Sequence, residues 1–142
     1  MRRRRIRIPF EECASLVPVI KFNVEGGPVC ALVDTGAETT LFNKEFIKSI
    51  NAECTTVGNS INFVGVSGEG NKTPIVLTEL KCEIGDNKFT IDGMLANLNQ
   101  VSEHFAKIYG DKYYPKILLG GDNLASLDAK IDYDKREITI LI

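Results

Sequence analysis

The chain has 142 residues, 44% of them hydrophobic and 25% charged, with a formal charge of −2; this suits one globular domain with a buried core and leaves no room for two. Five of its 17 basic residues are Arg2, Arg3, Arg4, Arg5 and Arg7, leaving 12 against 19 acidic residues in the remainder, a balance that disfavours nucleic acid as a partner of the body. No apolar run reaches the length of a membrane span, and Arg2 to Arg5 lead into Ile6-Arg7-Ile8-Pro9 and acidic residues rather than into the apolar stretch of a secretory signal, so a cytoplasmic protein without membrane attachment is expected.

Residues 1–5 read as a basic, disordered N-terminal arm with the capacity to bind phosphate or an acidic partner, and residues 6–142 as the folded domain. Alternation of Ile6, Ile8 and Phe10 with polar residues predicts a first strand, and Val17 to Val24 a second that ends at the turn Glu25-Gly26-Gly27-Pro28. The next stretch, Cys30-Ala31-Leu32-Val33-Asp34-Thr35-Gly36-Ala37-Glu38-Thr39-Thr40-Leu41-Phe42, carries one carboxylate to the end of an apolar, β-prone run, bends there, and leaves by a second β-prone run. Taken alone, Asp-Thr-Gly is also ordinary turn chemistry, with Asp and Thr bonding back to the backbone and Gly supplying a positive φ.

Beyond this bend, Asn43 is placed to cap a short helix that buries Phe46, Ile47 and Ile50. Residues 60–77 read as two strand-like arms around a tip with Gly65, Gly68 and Gly70, and a second hairpin joins Thr78–Ile84 to Lys88–Leu95 around Gly85-Asp86-Asn87. Val101, Phe105, Ile108 and Tyr109 recur at helical spacing as an apolar face. Ile117-Leu118-Leu119 is a buried strand by composition, residues 122–127 a short helix, and residues 131–140 a closing hairpin. Most of the chain is therefore β, and a closed or strongly curled all-β barrel with short helices is the simplest architecture.

Cys13, Cys30, Cys54 and Cys82 lack zinc-site spacing and read as buried free thiols; neither a metal nor another cofactor is expected. The single histidine, His104, falls on the polar side of a predicted helix, so the chain offers no His-Ser or His-Cys pair for nucleophilic catalysis.

The run from Leu32 to Ala37 resembles the active-site signature of aspartic peptidases, and Ile117-Leu118-Leu119-Gly120-Gly121-Asp122-Asn123-Leu124 resembles the second signature of their retroviral-type, or retropepsin-like, branch. Between them the glycine-rich hairpin stands where that family has its flap, and the resemblance extends over roughly residues 6–141. It implies a closed β-barrel with one lobe per chain. Hydrolysing an amide without metal or covalent intermediate needs a base for water and an acid for the carbonyl oxygen and leaving nitrogen, and two carboxylates sharing one proton supply both. Asp34 is one of them. Asp86, Asp92, Asp111 and Asp122 lack the aliphatic strand followed by Thr-Gly, so the second is expected to be Asp34 of another copy, across a twofold axis.

By the same resemblance Thr35 bonds across to the partner's loop, Gly36 admits a substrate backbone, Ala37 and Glu38 contact substrate or support the interface, and Gly120 packs beneath the Asp34 loop. Val66, Ser67, Gly68, Glu69 and Gly70 form the flap that closes on substrate. Leu32, Leu41, Phe63, Val66 and Ile75 are candidates to line peptide pockets, or are plain core. The chain departs from the viral pattern at Gly121, where those enzymes carry Arg, at Asp122, read as a helix cap, and in the inserted helix at 101–109. Implied is a homodimeric aspartic endopeptidase acting on extended peptides. The alternatives are a retropepsin-fold binding or dimerisation module without turnover, and a phosphate-binding protein that uses the arginine arm.

Overall fold

The computed structural model describes residues 3–60 and 73–142. Strand β1 (Arg5–Pro9) takes in an arginine assigned above to the arm. It is followed by β2 (Val19–Val24), β3 (Gly27–Val33), β4 (Leu41–Asn43), helix α1 (Lys44–Ser49), β5 (Thr55–Ser60), β6 (Thr73–Ile84), β7 (Asn87–Ala96), α2 (Asn99–Tyr109), a 3-10 turn (Asp111–Tyr113), β8 (Pro115–Leu119), α3 (Gly121–Ser126), β9 (Lys130–Asp132) and β10 (Glu137–Leu141). The turn between β2 and β3 is shorter than the sequence suggests. Only Glu25 and Gly26 lie outside the strands, both at positive φ (52° and 77°), the conformation a two-residue hairpin needs to match strand twist.

Strands β2-β3-β8-β4-β7-β6 are hydrogen-bonded in that order, and β6 also pairs with β2 through Asn23↔Glu83 and Val24↔Cys82, which closes a six-stranded barrel. β6 is a single strand of 12 residues rather than the arms of two separate hairpins. Its first part pairs with β5, from Ser60↔Thr73 to Thr55↔Leu77, and the rest with β7. The arms of the glycine-rich hairpin thus begin earlier than expected, at Thr55; Phe63, Gly65 and the proposed flap residues Val66, Ser67, Gly68, Glu69 and Gly70 lie outside the described residues.

Period-two alternation sorts the side chains. Ile20, Phe22 and Val24 of β2, Val29, Ala31 and Val33 of β3, and Ile117 and Leu119 of β8 enter the main core. Cys30 and Leu32 point the other way, into a second cluster with Cys13, Val19 and Tyr113. Burial on both faces is why residues 29–33 read as an unbroken apolar run. Helix α2 helps to cover that outer face, with only part of the face expected. Ser102 and Ala106 are buried, Phe105 and Tyr109 are half-buried against the second cluster, and Val101 and Ile108 are 37% and 58% exposed. Small residues take the contact line because the helix lies close to β8, with Ser102 Oγ donating to Pro115 O at 2.6 Å.

A second sheet, β1-β10-β9, brings the two ends of the chain together. Ile6, Ile8, Ile138 and Ile140 bury its inner face in the main core. No helix among the described residues is long and apolar enough to cross a membrane.

Candidate active site

The two signature stretches become neighbours through the topology of three strands. β3 and β8 run parallel, with Val33 beside Leu119, and β8 pairs on its other side with antiparallel β4. The chain leaving β3 must therefore cross the end of β8 to reach β4, and residues 34–40 make that crossing directly over Gly120. A Cβ on Gly120 would stand 2.8 Å from the carbonyl carbon and oxygen of Thr39 and 3.0 Å from Ala37 O. Absence of a side chain is what allows the loop to pass.

Backbone bonds hold this loop from both sides. Asp34 N donates to Leu119 O (2.9 Å), and Ala37 N to Asp34 O (3.2 Å). From α3, Gly121 N donates to Ala37 O (2.7 Å) and Asp122 N to Glu38 O (3.0 Å), so amides of a helix's first turn, which lack partners within the helix, are satisfied by the loop. Asp34 Oδ1 accepts the Gly36 N–H at 3.1 Å. The Asp34 and Ala37 side chains are half-buried, and Thr35, Gly36, Glu38 and Thr39 are exposed. Gly36 is not at a positive φ, and a Cβ there would meet nothing nearer than Asp34 Oδ1 at 3.5 Å. The left-handed backbone that turn chemistry would ask of it is therefore not used.

Beneath the loop lies a polar network that sequence reasoning missed. Thr40 is fully buried. Its Oγ1 donates to Asp122 Oδ1 (2.6 Å) and accepts from Gly120 N (2.9 Å) and Asn123 Nδ2 (2.7 Å). Thr40 N donates to both Asp122 carboxylate oxygens at 3.1 Å. The Asn123 side chain behaves like an extra strand residue beside β7, donating to Asp92 O (2.7 Å) and accepting from Asp92 N (3.1 Å). A buried hydroxyl that makes three bonds replaces hydration without leaving an unpaired group, and no buried side-chain nitrogen or oxygen among the described residues lacks a partner. The one signal in the sequence was a second threonine, Thr40, at the entrance of an apolar strand.

Two predicted caps work differently. Asp122 lies inside the first turn of α3, Gly120 occupies the cap position without a side-chain bond, and the Asp122 carboxylate ties Thr40 instead, also accepting from Asn123 N at 2.8 Å. The crossing loop needs glycine at the cap, and the acidic residue falls two positions beyond it, inside the helix. Asn43 stands at the cap position of α1 but makes no capping bond; its side chain donates to Asn99 Oδ1 (2.9 Å) and accepts from Leu98 N (3.4 Å), joining β4 to the start of α2. Of the pocket candidates, Leu32 is buried in the outer cluster, Leu41 is buried, and Ile75 is half-buried; Phe63 and Val66 lie outside the described residues.

No family model and no curated protein matches the sequence. Solved structures are. A retropepsin-like aspartic protease from Rickettsia conorii is 18% identical and superposes with a TM-score of 0.56 over 99% of this chain and 92% of that one. The retroviral protease-like domain of Ddi1 from Leishmania major is 14% identical, with a TM-score of 0.56 over 89% of each chain. The EIAV protease in complex with the inhibitor HBY-793 is 18% identical, with a TM-score of 0.49 over 84% of this chain and 95% of that one. A six-stranded barrel closed around the β3-β8-β4 crossing, matched along nearly the whole chain, is a retropepsin-like fold.

Proposed function

We propose that two copies of this chain form an aspartic endopeptidase, with Asp34 of each supplying one carboxylate. The observation that carries the reading is a half-buried carboxylate on a loop whose backbone is bonded to β8 and α3, in a chain where the acidic residue of the second signature is already occupied. Both Asp122 oxygens accept from Thr40. Asp34 is thus rigidly presented and left without a second carboxylate from that signature. Two such loops facing across a twofold axis bring two carboxylates within about 3 Å, as in aspartic proteases, where like charges that close share one proton. One then takes a proton from the attacking water, and the other protonates the carbonyl oxygen and afterwards the leaving amine.

The surroundings suit this chemistry. Thr35, exposed at the loop tip, is available to bond the partner's loop and align the two carboxylates, and Gly36 leaves room for a substrate backbone. Pro18 O accepts from Val33 N at 2.9 Å, so the exposed apolar residues Leu16 and Val17 (94% and 41%) stand beside the strand end that bears Asp34. An extended peptide crossing such a site binds by main-chain bonds, with alternate side chains entering pockets. Residues 66–70 are proposed to close over it.

Subunit mixing tests the shared site. When Asp34→Asn and wild-type chains are mixed equally and allowed to exchange, random pairing leaves about a quarter of the dimers active, whereas independent sites would leave about half. Specific activity also falls on dilution below the dimer dissociation constant. Half-activity after verified exchange overturns the reading, and so does a wild-type chain that cleaves nothing in a diverse peptide library while remaining dimeric; the latter makes it a binding module.

A further inference from the structure

Cys13 and Cys30 take no part in the Asp34 chemistry, and they are the two thiols that the fold brings together. All four cysteines are free; Cys54 is exposed and Cys82 lies in the main core, while Cys13 and Cys30 share the small outer cluster with Val19, Leu32 and Tyr113. Cys30 belongs to β3, opposite Lys21 of β2. Cys13 belongs to a strap, residues 10–18, that is tied to β2 where Glu11 N donates to Val19 O (2.7 Å) and to β3 where Val33 N donates to Pro18 O (2.9 Å). Two successive residues of the 3-10 turn bracket the pair. Cys30 Sγ donates to Lys112 O (3.5 Å), and the Tyr113 hydroxyl donates to Glu12 O (2.7 Å), next to Cys13. Burial pushes the Cys30 thiol up, the Lys21 ammonium pulls it back, and Glu11 and Cys13 lie near enough to push it up further. Cys13 also lines an open groove of about 110 Å³ with Phe10, Leu16, Pro18 and Tyr133, room for a few water-sized molecules.

A disulfide needs Cα atoms within about 7 Å of each other, and the side free to adjust is the strap, where Ala14, Leu16 and Val17 are exposed. We propose that Cys13 and Cys30 are a reversible dithiol pair, which a peroxide closes into a disulfide that ties the strap to β3. The Cys13 thiolate, on the groove, attacks one peroxide oxygen; the O–O bond breaks, leaving Cys13 as a sulfenic acid and releasing hydroxide, which takes up the thiol proton as water. The Cys30 thiolate then attacks the sulfenic sulfur. The S–S bond forms, the S–O bond breaks, and the second hydroxide leaves as water with the Cys30 proton. Two electrons pass from the sulfurs to the peroxide, and a thiol reductant returns them. Because Pro18 O holds the N–H of Val33, the residue before Asp34, the bond fixes a segment seated beside the candidate site. The pair is independent of the Asp34 dyad and stands or falls without it.

The test treats the fully reduced full chain with hydrogen peroxide and reads intact mass, a map of linked peptides and a thermal melt. The expected product is a single species lighter by about 2 Da, linked from Cys13 to Cys30 and reopened by dithiothreitol. It should melt about 5 °C or more above the reduced chain, since the bond closes a loop in the unfolded state. Cys54→Ser should link at an unchanged rate. Cys30→Ser should stop at a Cys13 sulfenic acid that dimedone labels, and Cys13→Ser should leave Cys30 unoxidised; where either variant fails to fold, the map of the wild-type chain decides. Oxygen addition without a link, or a link that uses Cys54 or Cys82, overturns the proposal. Equally fast linking of the chain unfolded in urea overturns it as well, because the fold would then not be what brings the two thiols together.

Discussion

Two regions of this molecule end in unfinished valences, and they are unfinished in opposite ways. At the Asp34 loop the backbone is satisfied from β8 and α3, and Thr40, Asp122 and Asn123 saturate one another beneath it; the proposed chemistry would still need a second carboxylate. At the terminal sheet the charges are abundant, and among the described residues β1 has a strand partner on one edge alone. Reaction sites need a few atoms held rigidly, so their supporting polar groups must be paired internally. A sheet edge carries no such demand, and the two regions belong to separate sheets.

Substitution at Asp34 separates reactivity from support most sharply. Asp34→Asn should lower turnover by about 10²–10⁴-fold and leave the melting temperature unchanged, since the new amide oxygen still accepts the Gly36 N–H. Peptide cleavage and a thermal melt on the same preparation check this; a matching loss of stability would show that the carboxylate belongs to the scaffold. Thr40→Val removes the support itself. It strands Gly120 N, one of the two Asn123 Nδ2 protons and part of the Asp122 carboxylate, and should cost about 2–3 kcal/mol of unfolding free energy, measured by denaturant titration, with activity falling because the loop loses its floor.

The barrel interior offers a smaller, pH-dependent effect. Burial pushes the Cys82 thiol up to about 12, from 9.0. The unfolded chain releases this proton first, so the contribution is intact below pH 9 and is lost progressively as pH rises from there towards 12. The urea midpoint should therefore decline more steeply above pH 9 than that of Cys82→Ala. The smallest effect belongs to the terminal sheet's existing ion pair. Arg5→Gln, which breaks the contact with the exposed Asp128 carboxylate, should change stability by no more than about 1 kcal/mol. A larger loss on denaturation would mean that this ion pair holds the sheet together.

Local pattern alone was sufficient for much of this. The apolar run before Asp34, the glycines and aliphatics of the second signature, and the alternation in the closing hairpin are short-range features, and each specifies a strand or bend from its own composition. Chain order then predicted a retropepsin-like barrel. Hidden from the sequence was everything that depends on which segments meet. Thr40 and Asn123 are 83 residues apart, and neither reveals a partner until β8 slips between β3 and β4. Gly93 gave no signal, although a Cβ there would come within 2.6 Å of the Phe42 ring. The contact face of α2 was half legible: Phe105 and Tyr109 do pack on the second cluster, but periodicity marks the large apolar residues, whereas close approach to a sheet also selects the small ones, Ser102 and Ala106. Asp122 was read as a cap because capping is a local habit; only the loop crossing above Gly120 turns its carboxylate towards Thr40. Sequence by itself determined where the strands and bends fall and which bend carries Asp34, since these follow from neighbouring residues. The tertiary structure decided which polar groups saturate each other and which edge stays open, because hydrogen bonds between distant segments exist only once the barrel has closed.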